Sequence, residues 1–127
     1  MTMHAAHAPM SQLDDRALDR VADYFKALSE PSRLKLLNAL REGERNVTEL
    51  TAHLGSSQAN VSRHLTLLLT LGMVERTSRG TSAYYRIADP RIYALCDLVC
   101  GQIGRRLAAE EQTRRGFLRP AGRRRPA

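Results

Sequence analysis

From Ser11 onward the apolar residues of the chain fall at intervals of three and four. Leu18, Val21, Phe25 and Leu28 make one face of a first amphipathic helix, and Asp14, Asp15 and Asp19 suit its first turns, where carboxylates complement exposed amide groups. Ser29 and Pro31 restart the chain as a second helix with Leu34, Leu37 and Leu40 facing a core and an end near Gly43. The stretch Asn46-Val47-Thr48-Glu49 has the spacing of a capping box and predicts a short third helix to about Leu54. Gly55 permits a tight turn, after which Ser57 caps a fourth helix whose stripe is Val61, Leu65 and Leu68. Residues 46–71 therefore read as helix, short turn, helix.

The period then changes. Met73 to Thr77 and Ser82 to Ile87 are β-rich runs around Ser78-Arg79-Gly80-Thr81, with Gly80 supplying the positive φ of a hairpin and Tyr85 and Ile87 alternating inward around Arg86. Asp89-Pro90 begins a last helix, the acid as cap and proline in the first turn, with the stripe Ile92, Cys96, Val99, Ile103 and Leu107 and with Cys100 at its edge. The fold class is mainly α with a β-hairpin wing: a winged helix-turn-helix of five helices and one two-stranded wing, dimeric. It occupies residues 11–115, between a disordered N-terminal tail at 1–10 and a disordered basic tail at 116–127.

A chain of 127 residues, 43% of them apolar, buries one core and little more. Its net charge of +7 is unevenly placed. Residues 1–104 hold 12 Lys and Arg against 11 Asp and Glu, whereas residues 105–127 hold 8 Arg against 2 Glu, so +1 belongs to the body and +6 to the tail. Total charge is thus weak evidence for a polyanionic partner of the folded part, and local placement decides. From Ser57 to Pro90 the cations Arg63, Arg76, Arg79 and Arg86 face only Glu75 and Asp89. The first ten residues lack the basic start and apolar core of a signal peptide, which places the protein in the cytoplasm. The longest apolar run, Leu65 to Val74, is about half the roughly 20 residues a membrane span needs.

The fourth helix carries the candidate chemistry. At about 100° per residue the face opposite its stripe collects Ala59, Ser62, Arg63 and Thr66, flanked by Gln58 and Asn60, without a carboxylate. Gln and Asn can pair bidentately with adenine and Arg with guanine, while Ser and Thr contact bases or phosphate. Any amphipathic helix has a polar face, so the hairpin beside it matters: Arg76 and the tip residue Arg79 are placed for phosphates or the minor groove. The double-stranded DNA contacts are then Gln58, Asn60, Ser62, Arg63, His64, Thr66, Arg76 and Arg79, with hydrogen bonding inside the protein as the alternative role of His64. Two such helices in successive grooves favour an imperfect palindrome.

A long apolar helix after the core is already complete suggests a surface for a second copy of the chain, with helix 1 as partner. Leu18, Val21, Phe25, Ile92, Cys96, Val99, Ile103 and Leu107 are its candidate residues. Gly101 and Gly104 each cost about 1 kcal/mol in a helix interior, a cost that close approach would explain. Cys96 and Cys100 stand at i and i+4, so both thiols leave one side of the helix and could chelate a thiophilic metal or metalloid ion or undergo oxidation or persulfide bridging. The alternative is that both are small hydrophobes of the packing stripe. No other cofactor motif is present. His4 and His7 in the N-terminal tail could touch a metal, the alternative being no specific role. A thiol enzyme would want C-x-x-C, and P-loop, G-x-S-x-G and H-E-x-x-H motifs are all missing. A non-specific DNA binder acting through the arginine tail is a further alternative.

Taken together, ALSEPSRLKLLNALREGERNVTEL, SSQANVSRHLTLLLTLGMV, RTSRGTSAYYRI and ADPRIYALCDLV resemble the ArsR/SmtB family of small winged-helix repressors over roughly residues 15–108. The resemblance implies a homodimer built on the first and last helices that leaves DNA when an inducer binds. The family's inducer sites transfer poorly. Its cysteine pair on the third helix corresponds to Thr51 and His53, and its last-helix metal site to Asp89, Arg91, Gln102 and Arg105, of which only Asp89 matches. The second-helix cysteine of its persulfide sensors corresponds to Asn38. Cys96 and Cys100 are what remains, and a repressor without thiol sensing stays open beside them.

Overall fold

The structure, a computed structural model, describes residues 7–118, so His4 and the arginines beyond residue 118 lie outside the described residues. The chain forms two compact units, one running to Asp89 and one beginning at Pro90. The first contains a short 3₁₀ turn at Met10–Gln12, then α1 (Asp15–Ala27), α2 (Pro31–Ala39), β1 (Arg45–Asn46), α3 (Val47–Leu54), α4 (Gln58–Thr70), β2 (Val74–Arg79) and β3 (Ser82–Ile87). The second is the single long helix α5 (Arg91–Phe117).

Local chemistry sets most of these boundaries. Asp14 caps α1 by accepting from the Ala17 amide, and Glu30 caps α2 from the Arg33 amide with Pro31 in the first turn. The capping box of α3 is complete: Asn46 Oδ1 accepts from the Glu49 amide at 2.8 Å and Glu49 Oε1 from the Asn46 amide at 3.2 Å. Gly55 ends α3 at φ 63°, a left-handed conformation that frees the chain to turn at once into α4.

The core of this unit is Leu36, Leu37, Leu40, Leu50, Val61, Leu65, Leu68, Met73, Val74 and Tyr85, where α2, α3 and α4 pack on one another and α4 on β2. Val61, Leu65 and Leu68 are fully buried, as the stripe predicts. The expected α2 face needs correction. Leu36, Leu37, Ala39 and Leu40 are buried, whereas Leu34 is 38% exposed. The buried four span one arc of the helix, and Leu34 lies about 140° from its centre.

The wing also differs from the expected two-stranded hairpin. β1 pairs with β3, giving a three-stranded antiparallel sheet of order β1-β3-β2 with Arg45 opposite Tyr85 and Asn46 opposite Tyr84. The hairpin closes on Gly80 and Thr81 alone, since Arg79 pairs with Ser82, and Gly80 adopts φ 61°. Tyr85 is buried and Ile87 half-buried.

In α5, Pro90 rather than Asp89 occupies the cap position. It is already helical, and no side chain caps it. The helix continues to Phe117, past the expected boundary at residue 115. Ile92, placed by its periodicity on the surface for a second copy, is buried together with Tyr93 within the single chain. Val99, Ile103 and Leu107 are exposed, as are Leu18 and Phe25 of α1, while Val21 and Cys96 are half-buried.

Candidate nucleic-acid interface

α4 begins where the left-handed Gly55 and the Ser57 cap place it: the Ser57 hydroxyl accepts from the Asn60 amide at 3.2 Å. With Val61, Leu65 and Leu68 fixed in the core, the other side must face outward, and Gln58, Ala59, Asn60, Ser62, Arg63 and Thr66 are all exposed. These polar groups are ordered among themselves. Asn60 Nδ2 donates to Ser56 Oγ at 3.4 Å, and Arg63 Nη2 donates to Asn60 Oδ1 at 3.0 Å. Thr66 Oγ1 donates to the Ser62 carbonyl at 2.8 Å and keeps its lone pairs for an incoming donor. The result is a convex helix face carrying an amide and a guanidinium in register, with no acid on it.

His64 is placed differently. Its side chain is 13% exposed, with Nδ1 3.5 Å from Arg33 Nη1 and Nε2 3.8 Å from Glu30 Oε2. It faces α2, the contact within the protein that the sequence left open beside a DNA-contacting role. With Glu30, Ser32, Arg33, Asn60, Arg63 and Leu67 it lines an open cleft of about 630 Å³ beside the helix.

The wing arginines are separated by the strand register. Val74 pairs with Ile87 and Arg76 with Tyr85, so Arg76 leaves the sheet on the face of Tyr85, whereas Arg79 is of opposite parity and shares its face with Tyr84 and Arg86. Sequence position had grouped Arg76 with Arg79. Counting alternate residues from Val74 separates them. Arg79 stacks over the Tyr84 ring, 4.8 Å from its centroid, and forms an ion pair with Glu44, the residue before β1. Arg86 is bound to its cross-strand partner, with Nε and Nη2 both donating to Glu75 Oε2 at 2.8 and 2.6 Å. Glu30, Arg33 and Glu44 escaped the sequence reading because each acts through a partner on a different element.

On α5, Cys96 is half-buried and Cys100 exposed, and neither is in a disulfide among the described residues. Among the described residues no three His, Cys, Asp or Glu side chains group as a metal site, and no helix is long and apolar enough to cross a membrane.

A helix-turn-helix with an outward polar face, followed by an antiparallel hairpin, defines a winged helix-turn-helix DNA-binding regulator. Comparison with known proteins gives the family. The profile of the bacterial regulatory proteins of the arsR family matches residues 30–76. Over 92 residues the chain is 41% identical to a probable mercury resistance operon repressor of Streptomyces lividans, a match spanning 72% of this chain and 70% of that protein. Among solved structures it is similar to a homodimeric winged helix-turn-helix DNA-binding domain from Mycobacterium bovis, a possible ArsR-family regulator. That likeness has a TM-score of 0.63 and 36% identity and covers 73% of this chain and 92% of that one. It is also similar to the antimony-specific transcriptional repressor AntR, with a TM-score of 0.64 and 29% identity over 82% of this chain and 99% of that one. The chain belongs to the ArsR family of bacterial regulatory proteins. It is a transcriptional regulator and not an enzyme, which removes the thiol-enzyme alternative.

Proposed function

We propose that this regulator is a homodimeric repressor that reads an imperfect palindrome through α4 and is released from DNA by a thiophilic ligand acting on Cys96 and Cys100. The observation that carries the DNA reading is the outward face of α4, where Gln58, Asn60, Ser62, Arg63 and Thr66 are exposed together without a carboxylate. Arg79 lies on a phosphate-facing wing, and the exposed apolar residues Leu18, Phe25, Val99, Ile103 and Leu107 are covered by a second copy. The homodimeric domain from Mycobacterium bovis supports that assembly.

The inducer assignment rests on thiol chemistry. Two cysteines one helical turn apart, one exposed and one half-buried, give soft donors on one side of α5. One similar protein is named as a probable repressor of a mercury resistance operon and another as antimony-specific, and both elements are thiophilic. Two thiols are an incomplete donor set, so further ligands come from the second copy. The exposure of Cys100 favours one rival, oxidation of the same pair.

The test is fluorescence anisotropy of the reduced protein on its own upstream DNA, repeated with stoichiometric arsenite and with a mild thiol oxidant, beside Cys96→Ser and Cys100→Ser. Release of the wild type by arsenite, but of neither variant, supports metalloid sensing. Release by the oxidant alone transfers the role to redox chemistry. Tight binding that ignores both makes the cysteines packing residues and removes the thiol inducer.

A further inference from the structure

The recognition helix is held by an apolar stripe: Val61, Leu65 and Leu68 fix which side of α4 is buried, but none of them offers a hydrogen bond that orients the helix. A directional tie exists at His64. Arg33, on α2, has all three guanidinium nitrogens directed at partners. Nε donates to the Ala27 carbonyl at 2.7 Å and Nη2 to the Lys26 carbonyl at 3.1 Å, both in the last turn of α1, while Nη1 lies 3.5 Å from His64 Nδ1. The two carbonyls belong to the group that a helix end leaves without intrahelical partners. Because a guanidinium only donates, a bond at this contact requires Nδ1 as the acceptor and the tautomer with its proton on Nε2, the nitrogen 3.8 Å from Glu30 Oε2. Glu30 in turn accepts from the Arg33 amide at 3.1 Å. The end of α1, the start of α2 and the recognition helix thus meet at one guanidinium, one residue away from Arg63.

We propose that Arg33 and His64 are positioning residues for DNA reading: their contact fixes the rotation of α4 against the end of α1 and thereby the presentation of Asn60 and Arg63. The proposal rests on the reading of α4 as the DNA-contacting helix. His64 touches no base or phosphate in this account. Its effect passes through the angle at which the neighbouring polar face meets the groove.

The experiment compares wild type, His64→Ala and His64→Asn on a duplex enriched from a randomised pool and on a scrambled duplex, with thermal melting of each variant. Asparagine keeps an oxygen where Nδ1 stands, so it restores the acceptor without the ring. Alanine should lower affinity for the enriched duplex about tenfold, the equivalent of one hydrogen bond to a charged group, and leave scrambled binding unchanged. Asparagine should return it to within about twofold of wild type, with the salt dependence of all three alike because no phosphate contact changes. Nitrogen-15 spectra of the wild-type ring should show the proton on Nε2, and Arg33→Lys should disturb that signal. If alanine does not fold, His64→Gln replaces it: its oxygen falls near Nε2 instead, and it should bind as poorly as alanine would. Asparagine binding as weakly as alanine or glutamine overturns the proposal, as does a salt slope reduced by about 0.9, the mark of a direct phosphate contact. Alanine equal to a wild type that distinguishes the duplexes overturns the positioning alone. A wild type that does not distinguish them overturns the DNA reading and the proposal with it.

Discussion

Replacing Glu44 with glutamine should tighten DNA binding. In the free protein the Glu44 carboxylate holds Arg79, and the same guanidinium lies over the Tyr84 ring. A phosphate that recruits Arg79 must displace the carboxylate. The side chains of Arg79 and Glu44 are 56% and 30% exposed, so solvent screens the pair and its contribution falls in the range of about 0.2–1 kcal/mol. Removing that competitor leaves the stacking on Tyr84 intact and raises affinity by about 1.4- to 5-fold. The gain should be equal on enriched and scrambled duplexes, because phosphates carry no sequence. The logarithmic salt slope should steepen by up to about 0.9, as for one additional phosphate contact. Anisotropy titrations at several salt concentrations read both quantities, with thermal melting as the check on the fold. Unchanged affinity and slope would show that Arg79 does not reach the backbone, and weaker binding would show that Glu44 presents the arginine and does not restrain it.

Leu65→Ala, at a fully buried position of α4, should cost about 2–5 kcal/mol and lower the melting temperature of the first unit. Asn46→Ala removes the side-chain acceptor of the capping box, leaving the bond from its own amide to Glu49, and should cost about 0.5–2 kcal/mol, visible as a lower denaturant midpoint at unchanged slope. Arg63→Ala should lose about 1–3 kcal/mol on the enriched duplex and less on a scrambled one, and equal losses on both would reduce Arg63 to a phosphate contact.

What the sequence announces and what it hides differ by the range of the interaction involved. The α3 capping box, the turn at Gly55, the stripe of α4 and the positive φ at Gly80 are decided within a few residues, and each was legible as a local pattern. β1 is extended because Arg45 and Asn46 pair with Tyr85 and Tyr84 some forty positions later, a partnership that two residues of sequence cannot signal. Leu34 was misjudged because a spacing of three drifts around a helix, and only packing shows which leucines span the buried arc. The polar face of α4 was readable because it is a helical period. The Glu44–Arg79 pair and the Arg33–His64 contact join different elements, so the sequence offered the residues without their partners. The opposite parity of Arg76 and Arg79 was present in the strand pattern and follows once β2 is known to start at Val74.

The central claim, sequence-specific reading by α4, is tested most directly by selecting bound duplexes from a randomised pool with wild type and with Arg63→Ala. The expected result is an enriched imperfect palindrome whose half-sites are centred about one helical turn, roughly 10 base pairs, apart. Arg63→Ala should relax preference at one position in each half-site. A pool that emerges with no enriched sequence, or one in which Arg63→Ala selects the same motif with the same stringency as wild type, would contradict the claim.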